Sequence, residues 1–309
     1  MTEFRENPLP GLINLWQAAP PVMRGIMLMC VSTVLFSAMH VLVRYVAQDV
    51  PPLQVAFLRN IFGVIVFMPL LMSTGLSFMK TERLGLHSIR GIINVTAMLM
   101  FFTGLAMTPV ARVTALAFSA PLFTALLSVI FLGERFRARR WSALIVGFAG
   151  TLIILRPGMI PVDLGSTLVV GSALLWGITM IVIKVLSRTE SSFAITAYMN
   201  IFLSLFSLGP ALWVWVTPPP EAWVWLIAIG ILGTIAQLAL SQSLKETDPT
   251  AVMPFDFLKL VWAAILGFWV FGEVPDIFTW LGAFVVFGSG FYIAWREHQE
   301  RKRTGGGAG

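Results

Sequence analysis

The sequence predicts an all-α polytopic membrane protein with ten transmembrane helices. Ten apolar stretches fill the chain between Gly25 and Trp295, and each approaches the roughly 20 residues that a helix needs to cross a hydrocarbon core about 30 Å thick. Hydrophobic residues make up 57% of the chain and charged residues 12%, with a mean hydropathy of +0.85. A soluble domain carries about twice that share of charge. Because backbone groups in lipid must bond within their own element, the stretches are expected to be helices.

Polar, proline and glycine clusters separate the stretches. They place the helices near 25–47, 53–73, 85–106, 110–132, 139–156, 166–187, 193–216, 222–243, 249–272 and 277–295. Residues 1–24 form a polar, proline-interrupted tail, and no small-residue cleavage site follows the first apolar run, so that helix is expected to be retained. Residues 297–309 form a second tail that is basic and then rich in glycine. Both tails are predicted to be cytoplasmic.

The basic residues orient the protein in the membrane. With a cytoplasmic N-terminus, most of the 21 lysines and arginines fall on the cytoplasmic side, as the positive-inside rule requires. The clearest cluster is Arg135, Arg137, Arg139 and Arg140 in one short loop. The net charge of +6 therefore reflects membrane topology, and nucleic acid is not expected as a partner. The lone Cys30 excludes an intramolecular disulfide framework.

The two halves of the chain resemble each other at an offset of 139 residues. Phe131-Leu132-Gly133-Glu134 corresponds to Val270-Phe271-Gly272-Glu273, and Trp141 corresponds to Trp280. These matches indicate duplication of a five-helix unit, with repeats expected at 25–157 and 166–296. An odd number of spans forces the two copies into opposite orientations. Inverted repeats are typical of secondary transporters, whose substrate site lies near the midplane between the halves.

At this point the chain resembles a known family. The ten spans, Pro121-Leu122-Phe123, the run Phe131 to Arg135 and the second Gly272-Glu273 resemble EamA-type members of the drug/metabolite transporter superfamily. Gln54 to Asn60, Leu155 to Gly158 and Pro254-Phe255-Asp256 are similar to a proteobacterial branch that includes riboflavin and S-adenosylmethionine uptake proteins. The second half has Leu260 where the first has Pro121, so the proline that would break the first copy's helix is missing there.

Ionisable residues inside spans cost about 2.5–3.5 kcal/mol on insertion scales and are functional candidates for that reason. Arg59 and His40 lie within the second and first predicted spans and are candidate substrate contacts. A structural role stays open for both, with Arg59 capping carbonyls and His40 hydrogen-bonded in helix packing. Asp256 and Lys259 are three residues apart on the ninth helix, just after Pro254. They form either a neutral pair that sets helix packing or a functional pair, in which Asp256 takes up a proton or Lys259 binds an anionic group.

Three large aromatic residues complete the predicted site. Phe118, Phe257 and Trp262 fall deep in their spans and are candidate walls for a flat ring, although packing or lipid contact would explain them equally. Phe118 and Phe257 are also repeat partners. No metal or cofactor is expected, since three His and one Cys show no ligand spacing. No phosphate-binding loop for ATP is present.

The sequence therefore predicts a secondary active transporter in the bacterial inner membrane that moves a small organic metabolite by alternating access. Riboflavin uptake is the first expectation, from the branch resemblance, and S-adenosylmethionine uptake or export of an amino acid or related metabolite are alternatives. A channel also stays open, as does a membrane-embedded acyltransferase, although no internal histidine has an acidic residue within four positions. Gly171, Ala173 and Gly177 allow close helix approach within the chain or between copies, which leaves a homodimer open.

Overall fold

The computed structural model describes residues 19–74, 81, 83–133, 138–159, 163–186, 189–190, 192–247 and 249–305. Within these ranges the protein is helical and contains no strand. The twelve helices are α1 (Pro21–Val46), α2 (Pro52–Thr74), α3 (Leu84–Met107), α4 (Val110–Ala117), α5 (Ala120–Leu132), α6 (Ala138–Leu155), α7 (Leu164–Leu186), α8 (Ser192–Trp213), α9 (Pro220–Glu246), α10 (Pro249–Asp256), α11 (Leu258–Phe271) and α12 (Ile277–Gly305).

Seven helical segments in the described ranges are long and apolar enough to cross a membrane, and they include α4–α5 and α10–α11 taken as single spans. Three shorter apolar helices, Pro52–Ile65, Trp141–Leu155 and Tyr198–Trp213, accompany them. The helices that form these spans begin and end within a few residues of the predicted bounds. The exception is the last helix, which continues ten residues past its expected end at 295. Glu134 and Arg135–Arg137, in the loop expected after the fourth span, lie outside the described residues.

The fourth and ninth spans are each broken in the middle, although the missing proline left the break in the second copy in doubt. The breaks fall at Phe118-Ser119 and at Phe257, which are equivalent positions of the two halves. In the first half Pro121 lacks the N–H that would continue the ladder, and Ser119 Oγ donates a hydrogen bond of 2.7 Å to the carbonyl of Leu116. In the second half Pro254 lies before the break instead of after it. The loss of one proline therefore does not remove the second break.

Both broken spans end in the same way. Gly133 and Gly272 follow α5 and α11 with φ values of 66° and 70°, a left-handed conformation that suits glycine at a helix C-terminus. The backbone N–H of Gly272 donates to the carbonyl of Phe268 at 2.8 Å. This explains the glycine of the repeated Gly-Glu pair, because a side chain there would be strained.

Helices that correspond between the two halves pack against each other in opposite directions. In the pair α6 and α12, a Cβ added to Gly150 near the end of α6 would lie 2.9 Å from atoms of Val285 and Val286, and the carbonyl of Ala143 near the start of α6 accepts a hydrogen bond from Ser289 Oγ. In the pair α2 and α8, Gln54 Nε2 donates to the carbonyl of Val216 at 2.8 Å, and Asn60 Nδ2 donates to that of Leu203 at 3.3 Å. Each pair is therefore antiparallel.

The ends of the bundle are defined by two charged clusters. At the Arg24 end, where α1 begins, Arg24 forms an ion pair of 3.0 Å with Glu246, and Ser243 Oγ donates to the carbonyl of Gly25 at 2.7 Å. At the Arg44 end, where α1 finishes, Arg44 pairs with Glu273. The candidate site lies between these ends.

Candidate functional site

A row of aromatic rings crosses the centre of the bundle. Phe36 and His40, one turn apart on α1, have ring centroids 6.2 Å apart. His40 meets the edge of Phe101 on α3 at 5.1 Å, and Phe101 meets Trp176 on α7 at 5.1 Å. Aromatic contacts of this kind stabilise the packing of helices by more than the burial of their apolar surface alone would. His40, a predicted site residue, therefore lies inside an aromatic row that joins three helices.

Asp256 and Lys259 face each other across the break between α10 and α11. Lys259 Nζ lies 2.5 Å from Asp256 Oδ1, and their side chains are 19% and 24% exposed. Lys259 Nζ also lies 5.2 Å from the centroid of Phe36, and its carbonyl accepts a bond of 3.0 Å from Ser37 Oγ. The pair predicted from a continuous helix thus forms across two helices and contacts the same turn of α1 as the aromatic row.

Arg59 approaches this region from α2. Its Nη1 donates to Asn60 Oδ1 at 3.1 Å, and Asn60 in turn bonds α8 through Leu203 and Ser207. A Cβ on Gly233 of α9 would lie only 3.2 Å from Arg59 Nε and 3.3 Å from Nη2, and 2.6 Å from Met39 Sδ. Because Gly233 has no side chain, the guanidinium of Arg59 has room to lie beside Met39. Met39 directly precedes His40 on α1. No acidic residue of the described ranges pairs with Arg59.

The three predicted aromatic walls are placed differently. Phe118 and Phe257 stack on each other with centroids 5.9 Å apart, and both contact Phe287 of α12 at 5.8 and 4.8 Å. They therefore join the two helix breaks. Trp262 lies on α11 one turn after Lys259, and its Nε1 is buried without a hydrogen-bond partner in the described part of the chain.

A cavity of about 340 Å³ opens beside the aromatic row, between α5, α7, α10 and α12. Ligand sites for small organic molecules typically occupy about 300–1,000 Å³. The lining includes Pro121, Thr124, Trp176, Lys184 and Met253. Lys184 and Ser128 lie in the halves of α7 and α5 that point to the Arg24 end, so the cavity belongs to that end. Trp176 connects it to Phe101 and His40.

The Arg44 end is held by a network of ion pairs and hydrogen bonds between several helix ends. Arg44 pairs with Glu273 and donates to the carbonyl of Thr108, while the N–H of Val110 donates to Glu273 Oε2 at 3.3 Å. Arg112 lies 3.5 Å from Asp163 and donates to the carbonyl of Ile154 at 3.2 Å. Arg156, which ends α6 in a left-handed conformation with φ of 49°, pairs with Asp276. A cavity of about 110 Å³ lies beside this network.

Two carboxylates of this network have lowered pKa values. Burial raises the pKa of Asp163, but hydrogen bonds from Ser166 and Thr108 and the charge of Arg112 lower it more, and the net pKa lies below its usual value. Asp276 behaves alike: burial raises its pKa, and bonds from Thr279 together with Arg156 outweigh that effect. Both carboxylates lie in loops before helices, where their charges also favour the helix N-termini.

This network predicts acid sensitivity. A carboxylate whose pKa is lowered in the folded protein contributes stability above its unfolded pKa, and this contribution disappears as pH falls through the lowered value. We therefore expect the melting temperature of the purified protein in detergent to fall below about pH 5. The effect should be small, because Asp276 and Asp163 are 42% and 39% exposed. The variant Asp276→Asn should melt with a weaker acid dependence than the parent, and an unchanged dependence would contradict this.

Sequence reasoning did not single out several residues that the structure brings to these regions. Phe36 and Phe101 were ordinary members of apolar runs, and only their positions opposite His40 reveal them. Asp163 and Asp276 were ordinary loop acids, and Glu273, known from the repeated Gly-Glu pair, pairs with Arg44, which lies 229 positions earlier in the chain. Helical spacing places residues on a face but does not tell which helices meet.

Comparisons with known proteins agree with this architecture. The chain matches the EamA-like transporter family twice, over residues 23–156 and 163–295. It is 31% identical to an S-adenosylmethionine uptake transporter of Rickettsia bellii over 273 residues, covering 88% of this chain and 94% of the relative. It is 29% identical to a riboflavin transporter of Vibrio cholerae over 286 residues, covering 91% and 96%, and 31% identical to one of Rhizobium johnstonii over 282 residues, covering 90% and 93%.

A solved crystal structure shares the fold with a TM-score of 0.60 at 18% identity, covering 89% of this chain and 98% of the solved one. The family occurs once in each half, which indicates a repeat, and the relatives named here are transporters, not enzymes. With its apolar helices and its bacterial relatives, the protein is a multi-pass protein of the bacterial inner membrane. The chain belongs to the EamA-like transporter family.

Proposed function

We propose that the protein is a secondary active carrier that takes up a small organic metabolite by alternating access. In this proposal ten spans form two inverted five-helix repeats with both termini in the cytoplasm. The antiparallel packing of α6 with α12 and of α2 with α8 supports the inversion, because each pair holds equivalent helices of the two halves. The basic loops support the orientation, since the positive-inside rule favours a cytoplasmic Arg24 end.

One observation carries the transport mechanism. The Arg44 end is closed by the ionic network around Glu273, Asp163 and Asp276, whereas the cavity of about 340 Å³ lies toward the Arg24 end. Such an asymmetry is what a carrier with two inverted halves has when its site is accessible from one side only. With the Arg24 end in the cytoplasm, this conformation is closed to the outside.

The charges of the site bear on the substrate. The aromatic row from Phe36 to Trp176 suits a flat ring, which riboflavin and S-adenosylmethionine both carry. Only S-adenosylmethionine also carries fixed charges of both signs, and these suit a site with Arg59, Asp256 and Lys259 at one turn of α1. We therefore place S-adenosylmethionine first and riboflavin second, the reverse of the order that the sequence alone favoured.

The test is uptake of each labelled compound by cells and by inverted and right-side-out membrane vesicles, with and without the chain. Saturable accumulation at micromolar substrate concentration, in cells and in right-side-out vesicles, supports an uptake carrier. Flux that rises linearly with concentration would indicate a channel. Accumulation only in inverted vesicles would indicate export, and no flux of either compound, with the protein confirmed in the membrane, would overturn the proposed function.

A further inference from the structure

We infer that Arg59 binds a carboxylate of the substrate, so that the site selects solutes in which an amino-acid group is joined to a flat ring. This inference rests on the proposed function, since it assigns one group of the proposed central site. It starts from a charge imbalance. Asp256 and Lys259 neutralise each other at 2.5 Å, whereas Arg59 has no acidic partner in the described ranges.

An unpaired cation at this depth is costly. Arg59 lies seven residues after Pro52, the first residue of α2, which is about 10 Å along a helix axis. Removing such a charge from water costs several kcal/mol unless an anion or hydrogen-bond acceptors compensate it. The described part of the protein supplies one acceptor, Asn60 Oδ1, at 3.1 Å from Nη1. An anionic group of the solute would complete the compensation.

The geometry of Arg59 suits a carboxylate. Its Nε and Nη2 donate no hydrogen bond within the described part of the chain, and together they form one edge of the guanidinium fork. Such an edge binds the two oxygens of a carboxylate with parallel hydrogen bonds. Gly233 keeps this edge open on the side of α9, because a Cβ there would lie 3.2 and 3.3 Å from the same two nitrogens.

A second buried arginine shows what a structural role looks like in this protein. Arg90 on α3 is 4% exposed, and its two terminal nitrogens contact α8: Nη1 donates to the carbonyl of Ile195 at 2.7 Å and Nη2 lies 3.4 Å from Met199 Sδ. Arg90 therefore ties two helices together. Within the described ranges the side chain of Arg59 makes one hydrogen bond, to its own sequence neighbour, and donates none to a second helix.

The surroundings of Arg59 supply the other parts of the recognised class. Asp256 would accept the ammonium of an amino-acid group once Lys259 moves from it, and Lys259 contacts Phe36 and Ser37 on the α1 turn that leads to His40. That turn rises about 6 Å from Phe36 to His40, similar to the size of an amino-acid head group. The ring of the solute would lie along Phe101 and Trp176, toward the cavity.

The experiment compares two probes that differ only by the amino-acid part. S-adenosylhomocysteine carries the ring and the amino-acid group, whereas 5′-methylthioadenosine keeps the ring alone. Each is tested as a competitor of labelled S-adenosylmethionine uptake and, independently of flux, for thermal stabilisation of the purified protein. The variants are Arg59→Gln and Arg59→Lys, and Arg83→Gln, in an exposed position before α3, is the control.

In the parent and in Arg83→Gln we expect the amino-acid probe to bind on the order of 10–100-fold more tightly, the range for a charge-assisted hydrogen-bonded pair. Arg59→Gln should reduce this ratio to near one, and Arg59→Lys should keep part of it, since an ammonium supplies charge without the fork. A ratio that persists in Arg59→Gln, a parent that does not discriminate between the probes, or saturable uptake of uncharged riboflavin alone would overturn the inference. In the last case the carrier itself would stand.

Discussion

Replacing Asp256 with Asn is expected to abolish uptake and to destabilise the protein at the same time. The substitution leaves Lys259 charged and without its partner at 2.5 Å, beside the ring of Phe36. Removing one member of a buried ion pair typically costs about 3–5 kcal/mol, because the remaining charge is no longer compensated. Lys259→Met should have a similar effect, because it leaves the carboxylate of Asp256 without its cationic partner. The measurements are uptake and the melting temperature of the purified protein.

The double variant Asp256→Asn with Lys259→Met separates packing from transport. It removes both charges together, so the stability lost in either single variant should largely return. We expect uptake to stay absent, because a neutral pair neither binds a charged group nor takes up a proton. Glu221→Gln is the control, since it removes an exposed carboxylate in the first turn of α9. A double variant that transports normally would reduce the pair to a packing element and remove Asp256 from the mechanism.

A second large effect is expected at the crossing of α6 and α12. A Cβ on Gly282 would lie 2.4 Å from Ile154 Cγ1 and 2.6 Å from the carbonyl oxygen of Gly150. The backbone of α6 cannot move aside as a flexible side chain would, so Gly282→Leu must push the helices apart. Overpacking costs about 1–3 kcal/mol in ordinary cores and more where backbone is involved. Size-exclusion chromatography in detergent should show loss of the monodisperse protein and a lower melting temperature.

Gly288 provides the control for this prediction on the same helix. A Cβ there would meet no atom within 4 Å. Gly288→Leu adds the same side chain to α12 and should leave the elution profile and melting temperature close to those of the parent. Equal behaviour of the two variants would contradict the close crossing of the helices at Gly282.

The sequence predicts the broad architecture because lipid simplifies the problem. Long apolar runs must be helical, and their bounds can be read from prolines, glycines and charges within a few residues. The repeated Gly-Glu pair could also be recognised in the sequence. A residue that follows a helix in the left-handed conformation is usually glycine, in either half of the chain. The breaks at Phe118 and Phe257 were harder to foresee. The apolar run continues through both, and the two halves place their prolines on opposite sides of the break.

The sequence predicts which residues of the candidate site matter, but only in part how they are arranged in space. His40, Arg59, Asp256 and Lys259 stood out because ionisable groups are rare in spans. Their relation to α1, and the rings of Phe36 and Phe101 around His40, depend on which helix faces meet. One sequence does not contain that information. Arg59 shows this limit, since its open edge depends on Gly233, which lies 174 positions away in the chain.

The stacking of Phe118 on Phe257 has a mechanical consequence. A broken helix can bend at its break, where the backbone ladder is interrupted, and here both hinges touch through one pair of rings 5.9 Å apart. Bending at either break would move one ring of this pair against the other. In the alternating access proposed above, the contact would therefore couple the bending of the two halves of the chain.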